Sequence, residues 1–454
     1  ELGVTHEGRL DVEVQDGEIY LLRIDGSADR LTLKATNLIE QSGEQLQIHG
    51  TSGDDQFCIA VKRGFHVEIS GTSYFFGGRT INEIRIDGAG GEDEFSWAGT
   101  KKKEVIHLAD QECVIQGRRW RLEADQIQRV DLRGGGGNDR VQVHDSSGND
   151  HLSLAHRSFH LSSDHQQLSG QNLRHIEVVS NAGNDVVEWQ GSRFKDRITI
   201  QGLEVLMSNK HGSQRVSGFD QVEIDATQGG KDRLQIFDSN LDDLVRLSSR
   251  LAQVSSDEYD VTVHGVSRVK AVSSSGGTDR LELTDTLGKD RFVGRQNSAT
   301  MRGDGYWLKG TGFGDVSARS SGQWGDQAYL YGSKSLGSLQ ISPENARLEG
   351  GGFSMEASGF QQVFTFDGKL NTSSSLATRS SALMMRMNLA SLTSPDGSAR
   401  VVAGPEVWGK SLSELNARIA APLETTEFTF DSREELDLRE ESDWGRPTKR
   451  DSIN

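Results

Sequence analysis

The sequence predicts an all-β repeat protein, a parallel β-solenoid (β-helix) built from units of 46 to 47 residues. Three observations carry this expectation. A Gly-x-Asp segment recurs along the chain, ending at Asp55, Asp93, Asp139, Asp185, Asp232, Asp279 and Asp326, and after the first pair the steps are 46 or 47 residues. Apolar residues follow each aspartate two and four positions on, as in Phe95 and Trp97 or Val187 and Trp189, which is the pattern of a strand with one buried face. The chain holds 52 Gly but only 5 Pro, so turns are plentiful and strands are not interrupted. A period of this size means a solenoid or a β-propeller. A propeller of six or seven blades is the alternative. The solenoid is preferred because each strand carries its own inward pair and because nothing joins the first copy to the last. It is expected to wind as two coils of about 23 residues per repeat, about 14 coils in all.

Residues 1–35 are degenerate in pattern and are expected to cap the open sheet edge. The array covers 36–368. After each Gly-x-Asp strand comes a small turn pair, for example Asp145-Ser146, Asp238-Ser239 and Asp285-Thr286. Eleven positions after the aspartate stands a second acid: Glu104, Asp150, Asp196, Asp243 or Asp290. A second apolar pair follows it, weakest in the copy with Phe292 and Gly294. A third strand precedes the next aspartate, as Val130 and Leu132 or Val222 and Ile224. Residues 369–454 read as a Ser-rich linker and an acidic tail. A short helix is expected over Ser411–Ala420. The alternating segment Glu427–Leu438 is suited to sheet-edge addition.

Composition excludes several classes. A formal net charge of -17 argues against a nucleic-acid partner. No apolar run is long enough for a membrane-spanning segment. Two cysteines, Cys58 and Cys113, rule out a disulfide scaffold. The chain opens on Glu1, as expected if a leader has been removed. Gly-x-Ser-x-Gly, His-Glu-x-x-His and phosphate-loop motifs are absent, so no catalytic residue is assigned.

The repeated acids are the main candidate site. Hard carboxylate oxygens suit calcium, with Asp55, Asp93, Asp139, Asp150, Asp185, Asp232, Asp279 and Asp290 as the ligand set. The competing reading is an Asp-stabilised turn at each corner, which requires no cation. Six histidines between His144 and His175 form a second cluster, read as a solvated face. Lys101-Lys102-Lys103 reads as an exposed corner. Trp120, Trp307 and Trp324 are the aromatic candidates for lining a groove, whereas Trp97 and Trp189 belong to the core.

Gly134-Gly135-Gly136-Gly137-Asn138-Asp139 resembles the nonapeptides of calcium-binding repeats-in-toxin β-rolls, although here such motifs stand mostly alone. Leu46 to Phe57, Asp326 to Ser333 and Ala346 to Phe353 more closely resemble units of extracellular Gly-Gly-x-Gly-x-Asp repeat proteins of planctomycete-type bacteria. That resemblance implies a secreted or cell-surface protein with a structural, adhesive or self-assembling role, and glycan, extracellular matrix or sister subunits as partners. The alternatives are a carbohydrate-active β-helix enzyme, a polysaccharide lyase or hydrolase, and a calcium-stabilised binding module.

Overall fold

A computed structural model describes residues 37–78, 80–321, 325–332, 338–342, 345–366 and the backbone of 375–377. These residues form strands and no helix, divided between a 19-stranded sheet and a second sheet. The fold is a β-solenoid of about nine turns. The second sheet is open: its end strands, Thr72–Gly77 and Ser338–Ile341, each pair with one neighbour among the described residues. The propeller alternative is thereby excluded.

One repeat shows how the chain travels. Glu94–Ala98 lies in the second sheet. The chain crosses to the first sheet and runs up, down and up again as Val105–Ala109, Glu112–Gln116 and Arg121–Asp125. It then returns to the second sheet as Arg129–Arg133, parallel to Glu94–Ala98. The next repeat does the same with the sheets exchanged. Arg140–His144 and His175–Val179 lie in the first sheet, and the meander of His151–Ala155, Ser158–Ser162 and Gln167–Gln171 lies in the second.

Each repeat therefore carries five strands, of which the middle meander strand is antiparallel to both neighbours. This corrects the expected coil size. Arg140 pairs with His175 and Arg268 with Trp307, so one coil takes 35 to 39 residues rather than 23. The 46-to-47-residue period measures equivalent positions in successive repeats, which sit on opposite sheets.

The core lies between the sheets. Along most strands the inward residues alternate with outward ones, and Trp97 and Trp189 are almost wholly buried, as expected. Each such aromatic side chain stabilises the fold by roughly 2 to 3 kcal/mol through the area removed from water. The weak Phe292–Gly294 copy has a packing cause. Gly294 points inward, where a Cβ would stand 1.9 Å from Met355 Sδ.

The glycine of the Gly-x-Asp segment is equally constrained. Gly183 and Gly277 adopt φ of +127° and +79°. A Cβ there would meet the carbonyl oxygens of Gly148 and Leu241 at 2.0 and 2.1 Å. The corners of successive coils thus stack backbone on backbone, which only glycine allows.

The proposed cap at 1–35, the helix over Ser411–Ala420 and the strand-adding segment Glu427–Leu438 lie outside the described residues, and of the linker only Ser375–Ala377 is described, as a strand antiparallel to Gln362–Phe366.

Candidate acidic corners

The repeated acids sit where the chain leaves one sheet for the other. A corner carries backbone groups that strand pairing cannot satisfy, and burying them unpaired is costly. The aspartates satisfy them between coils. Glu104 N–H donates to Asp139 Oδ1 at 3.0 Å, Asp150 N–H to Asp185 Oδ1 at 2.8 Å, and Asp196 N–H to Asp232 Oδ1 at 2.7 Å. Asp243 N–H donates to Asp279 Oδ1 at 3.0 Å and Asp290 N–H to Asp326 Oδ1 at 2.9 Å. Asp55 N–H donates to Asp93 Oδ1 at 2.8 Å. In each case donor and acceptor belong to adjacent coils.

The second acid closes its own turn. Asp150 Oδ2 accepts the N–H and the hydroxyl of Ser146 at 3.2 and 2.8 Å. Ser192 and Asp196, Ser239 and Asp243, and Thr286 and Asp290 repeat the arrangement. Thr100 does the same for Glu104.

A third acid completes three of the corners. Asp145 Oδ1 accepts Asn181 N–H at 2.6 Å, Asp238 Oδ2 accepts Ser274 N–H at 2.6 Å, and Asp285 Oδ1 accepts Ser321 N–H at 2.8 Å.

All eight sequence-assigned aspartates are buried. The structure gathers some of them and not others. Asp150 and Asp185 join Asp145, and Asp290 joins Asp285 and Asp326; in each trio, carboxylate oxygens lie within 4.8 Å of one another. Among the described residues, Asp55, Asp93, Asp139, Asp232 and Asp279 enter no such trio. Asp145, Asp285 and Asp326 were missed as ligands. The first two stand in the turn pairs, and their signal was the aspartate six positions after Asp139 and Asp279, where other copies have Gly99, Gly191 or Gly332.

The two trios differ in one respect. Tyr306 Oη donates to Asp290 Oδ1 at 2.8 Å, as Tyr259 does to Asp243 at 2.6 Å. The equivalent place beside Asp150 is held by Gln166, and Asp150 Oδ1 is buried without a hydrogen-bond partner, whereas Asp145 Oδ2 and its counterpart Asp285 Oδ2 are unpartnered alike in both trios. Burial pushes the Asp145 carboxyl up to about 7, with Asp185 and Asp150 adding to the effect against the Asn181 N–H. Asp150 is raised too, again mainly by burial. Burial brings Asp285 up to about 6, with Asp326 and Asp290 contributing. Three carboxylates that repel one another away from water form a hard-oxygen cluster suited to a divalent cation.

The other sequence candidates separate. His144 and His175 lie on the first sheet and His151 and His160 on the second, so the histidine run makes no single cluster. Lys101, Lys102 and Lys103 are exposed at a corner, as expected. Trp120 lines no groove: its ring packs at 5.2 Å from Trp97 and 5.7 Å from Phe65. Trp307 faces outward on the first sheet, and Trp324 lies outside the described residues. Cys58 and Cys113 are both free, the first exposed and the second buried. No helix among the described residues is long and apolar enough to cross a membrane. No protein-family model matches the chain, and no curated protein is detectably similar to it.

Proposed function

We propose that the chain is a structural repeat protein of the cell exterior, a stiff rod that presents its sheet faces to glycans, matrix or sister subunits and performs no catalysis. The observation that supports this most is the use of the acids. The repeated carboxylates are spent at buried corners, holding backbone N–H groups of the next coil. A ladder of this kind stiffens a solenoid along its axis. The role is tested by light scattering of the full chain and of a chain ending at residue 368. Size-independent, strictly monomeric behaviour of both, with no retention on any matrix polymer, would refute it.

The second reading, a calcium-stabilised rod, is favoured by the two acidic trios and above all by Asp145, Asp150 and Asp185. Asp145 Oδ2 and Asp150 Oδ1 would hold the ion, with Asp185 completing the charge. Calcium at a hundredfold excess over its dissociation constant would add about 2.7 kcal/mol. The melting temperature should rise with calcium and fall with chelator, and Asp150→Asn should remove the response. An identical melting temperature in calcium and chelator would eliminate the cation.

A further inference from the structure

The second acid of each corner has two carboxylate oxygens, and a buried oxygen left unpaired is costly. One oxygen closes the turn. The other is taken up in five corners out of six. Ser70 Oγ donates to Asp55 Oδ1 at 3.3 Å and Asn209 Nδ2 to Asp196 Oδ1 at 2.7 Å. Tyr259 Oη donates to Asp243 Oδ1 at 2.6 Å and Tyr306 Oη to Asp290 Oδ1 at 2.8 Å. Glu104 brings both of its oxygens to Thr100 N–H, at 2.9 and 3.2 Å. Asp150 is the exception. It is 3% exposed, and its Oδ1 has no hydrogen-bond partner.

Gln166 stands where a donor to Asp150 would be. Its carbonyl accepts Ser163 N–H at 2.9 Å, just as the Tyr259 carbonyl accepts Ser256 N–H at 3.0 Å. Each of the two residues immediately precedes the last strand of its meander, Gln167–Gln171 or Asp260–His264. Gln166 is 8% exposed, and its Nε2 is also buried without a partner. A donor and an acceptor thus stand at one corner and neither satisfies the other. Asp145 Oδ2 adds a further orphaned oxygen.

Oxygens of Asp145, Asp150 and Asp185 lie within 4.8 Å of one another. Oxygens that share one calcium ion at 2.3 to 2.6 Å stand no more than about 5 Å apart. A water molecule would satisfy the hydrogen bonds but not the charge. None of the three carboxylates forms an ion pair with a basic side chain among the described residues.

We propose that this corner holds the chain's one calcium ion and that Gln166 is the residue that opens it. Turning the Gln166 amide by half a rotation puts Oε1 where Nε2 stands. A neutral carbonyl oxygen then joins Asp145 Oδ2, Asp150 Oδ1 and Asp185 in a hard-oxygen set. The trio of Asp285, Asp290 and Asp326 is gathered within the same 4.8 Å, but there the Tyr306 hydroxyl already donates to Asp290 Oδ1 and fills the place of the fourth ligand. Tyrosine does for that corner what the ion does for this one. The inference rests on the calcium reading above and deepens it by fixing the number of ions and the residue that selects the corner.

The full chain, freed of metal with chelator and titrated with calcium chloride in a calorimeter, should bind one ion. Gln166→Leu removes the amide at nearly constant size and should weaken binding at least about tenfold, whereas Gln166→Glu keeps an oxygen in place and should retain it. Gln166→Tyr should abolish binding and melt in chelator no lower than the wild type, since its hydroxyl reaches Asp150 Oδ1. If Gln166→Tyr does not fold, the Leu and Glu variants decide the same question. Tyr306→Gln should raise the count to two. Two ions in the wild type, one ion held with unchanged affinity by Gln166→Leu, or a count that stays at one in Tyr306→Gln would overturn the proposal while a calcium-stabilised rod still stood. A wild type that binds no calcium and melts alike in calcium and chelator would remove the calcium reading itself, and this inference with it.

Discussion

Replacing Asp185 with alanine isolates one rung of the corner ladder. Asp185 is fully buried. Its Oδ1 accepts Asp150 N–H at 2.8 Å from the previous coil, and its Oδ2 accepts Ser180 Oγ at 2.6 Å. The Asp185→Ala change strands one buried and one partly buried donor. Each costs about 1 to 3 kcal/mol, and the Ser180 hydroxyl can turn toward another acceptor, so the net loss is about 2 to 4 kcal/mol. Asp185→Asn keeps an amide oxygen for Asp150 N–H and should lose about 1 kcal/mol. Both are measured by denaturant unfolding in chelator at about pH 5, where the neighbouring Asp145 stays protonated. If Asp185→Ala falls within about 0.5 kcal/mol of the wild type, the buried carboxylate is not stapling the coils and the reasoning fails.

Three further outcomes follow from the same geometry. The Asp145 and Asp285 carboxyls are raised to about 7 and about 6. Between about pH 4 and 7 the folded chain thus holds protons that the unfolded chain has released, so their stabilisation is complete below about pH 4 and is lost as pH rises through their folded values. In chelator the melting temperature should therefore fall across that window, and Asp145→Asn should flatten the fall; a rise would contradict the burial of these acids. Tyr306→Phe removes the hydroxyl that donates to Asp290 Oδ1 at 2.8 Å and should cost about 1 kcal/mol in denaturant unfolding. Gly277→Ala forces a Cβ to 2.1 Å from Leu241 O at positive φ and should cost more than about 2 kcal/mol, while Gly351→Ala, with open space around it, should be nearly neutral in the same melts.

The array was legible because its punctuation is chemical. The Gly-x-Asp segment needs glycine for close backbone stacking and aspartate to accept an N–H one coil away, so both residues recur wherever a corner recurs. The strands beside the corners were legible for the same reason. The two later meander strands of each repeat were not. Glu112–Gln116 and Arg121–Asp125 alternate well enough, with Cys113 and Ile115 or Leu122 and Ala124 inward. Their first turn is made by Asp110 and Gln111 at φ of +39° and +68°, without glycine or proline to announce it. Another is made by Arg157 at +62°. Missing these hairpins shortened the expected coil to about 23 residues, against the 35 to 39 it takes.

The candidate site was half visible for a related reason. The ladder aspartates repeat in sequence, but a trio draws its members from two repeats. Asp145 and Asp150 meet Asp185 only because one coil spans about 36 residues while the sequence period is 46 to 47.

Hydrogen exchange resolved to single amides tests the central claim most directly. The N–H groups of Glu104, Asp150, Asp196, Asp243 and Asp290 lie in corners, outside every strand, yet each donates to a buried carboxylate of the adjacent coil. They should exchange as slowly as the strand amides beside them, and Asp150 N–H should lose its protection in Asp185→Ala. Exchange at these five amides as fast as at the exposed corner residues Lys101 to Lys103 would contradict the ladder.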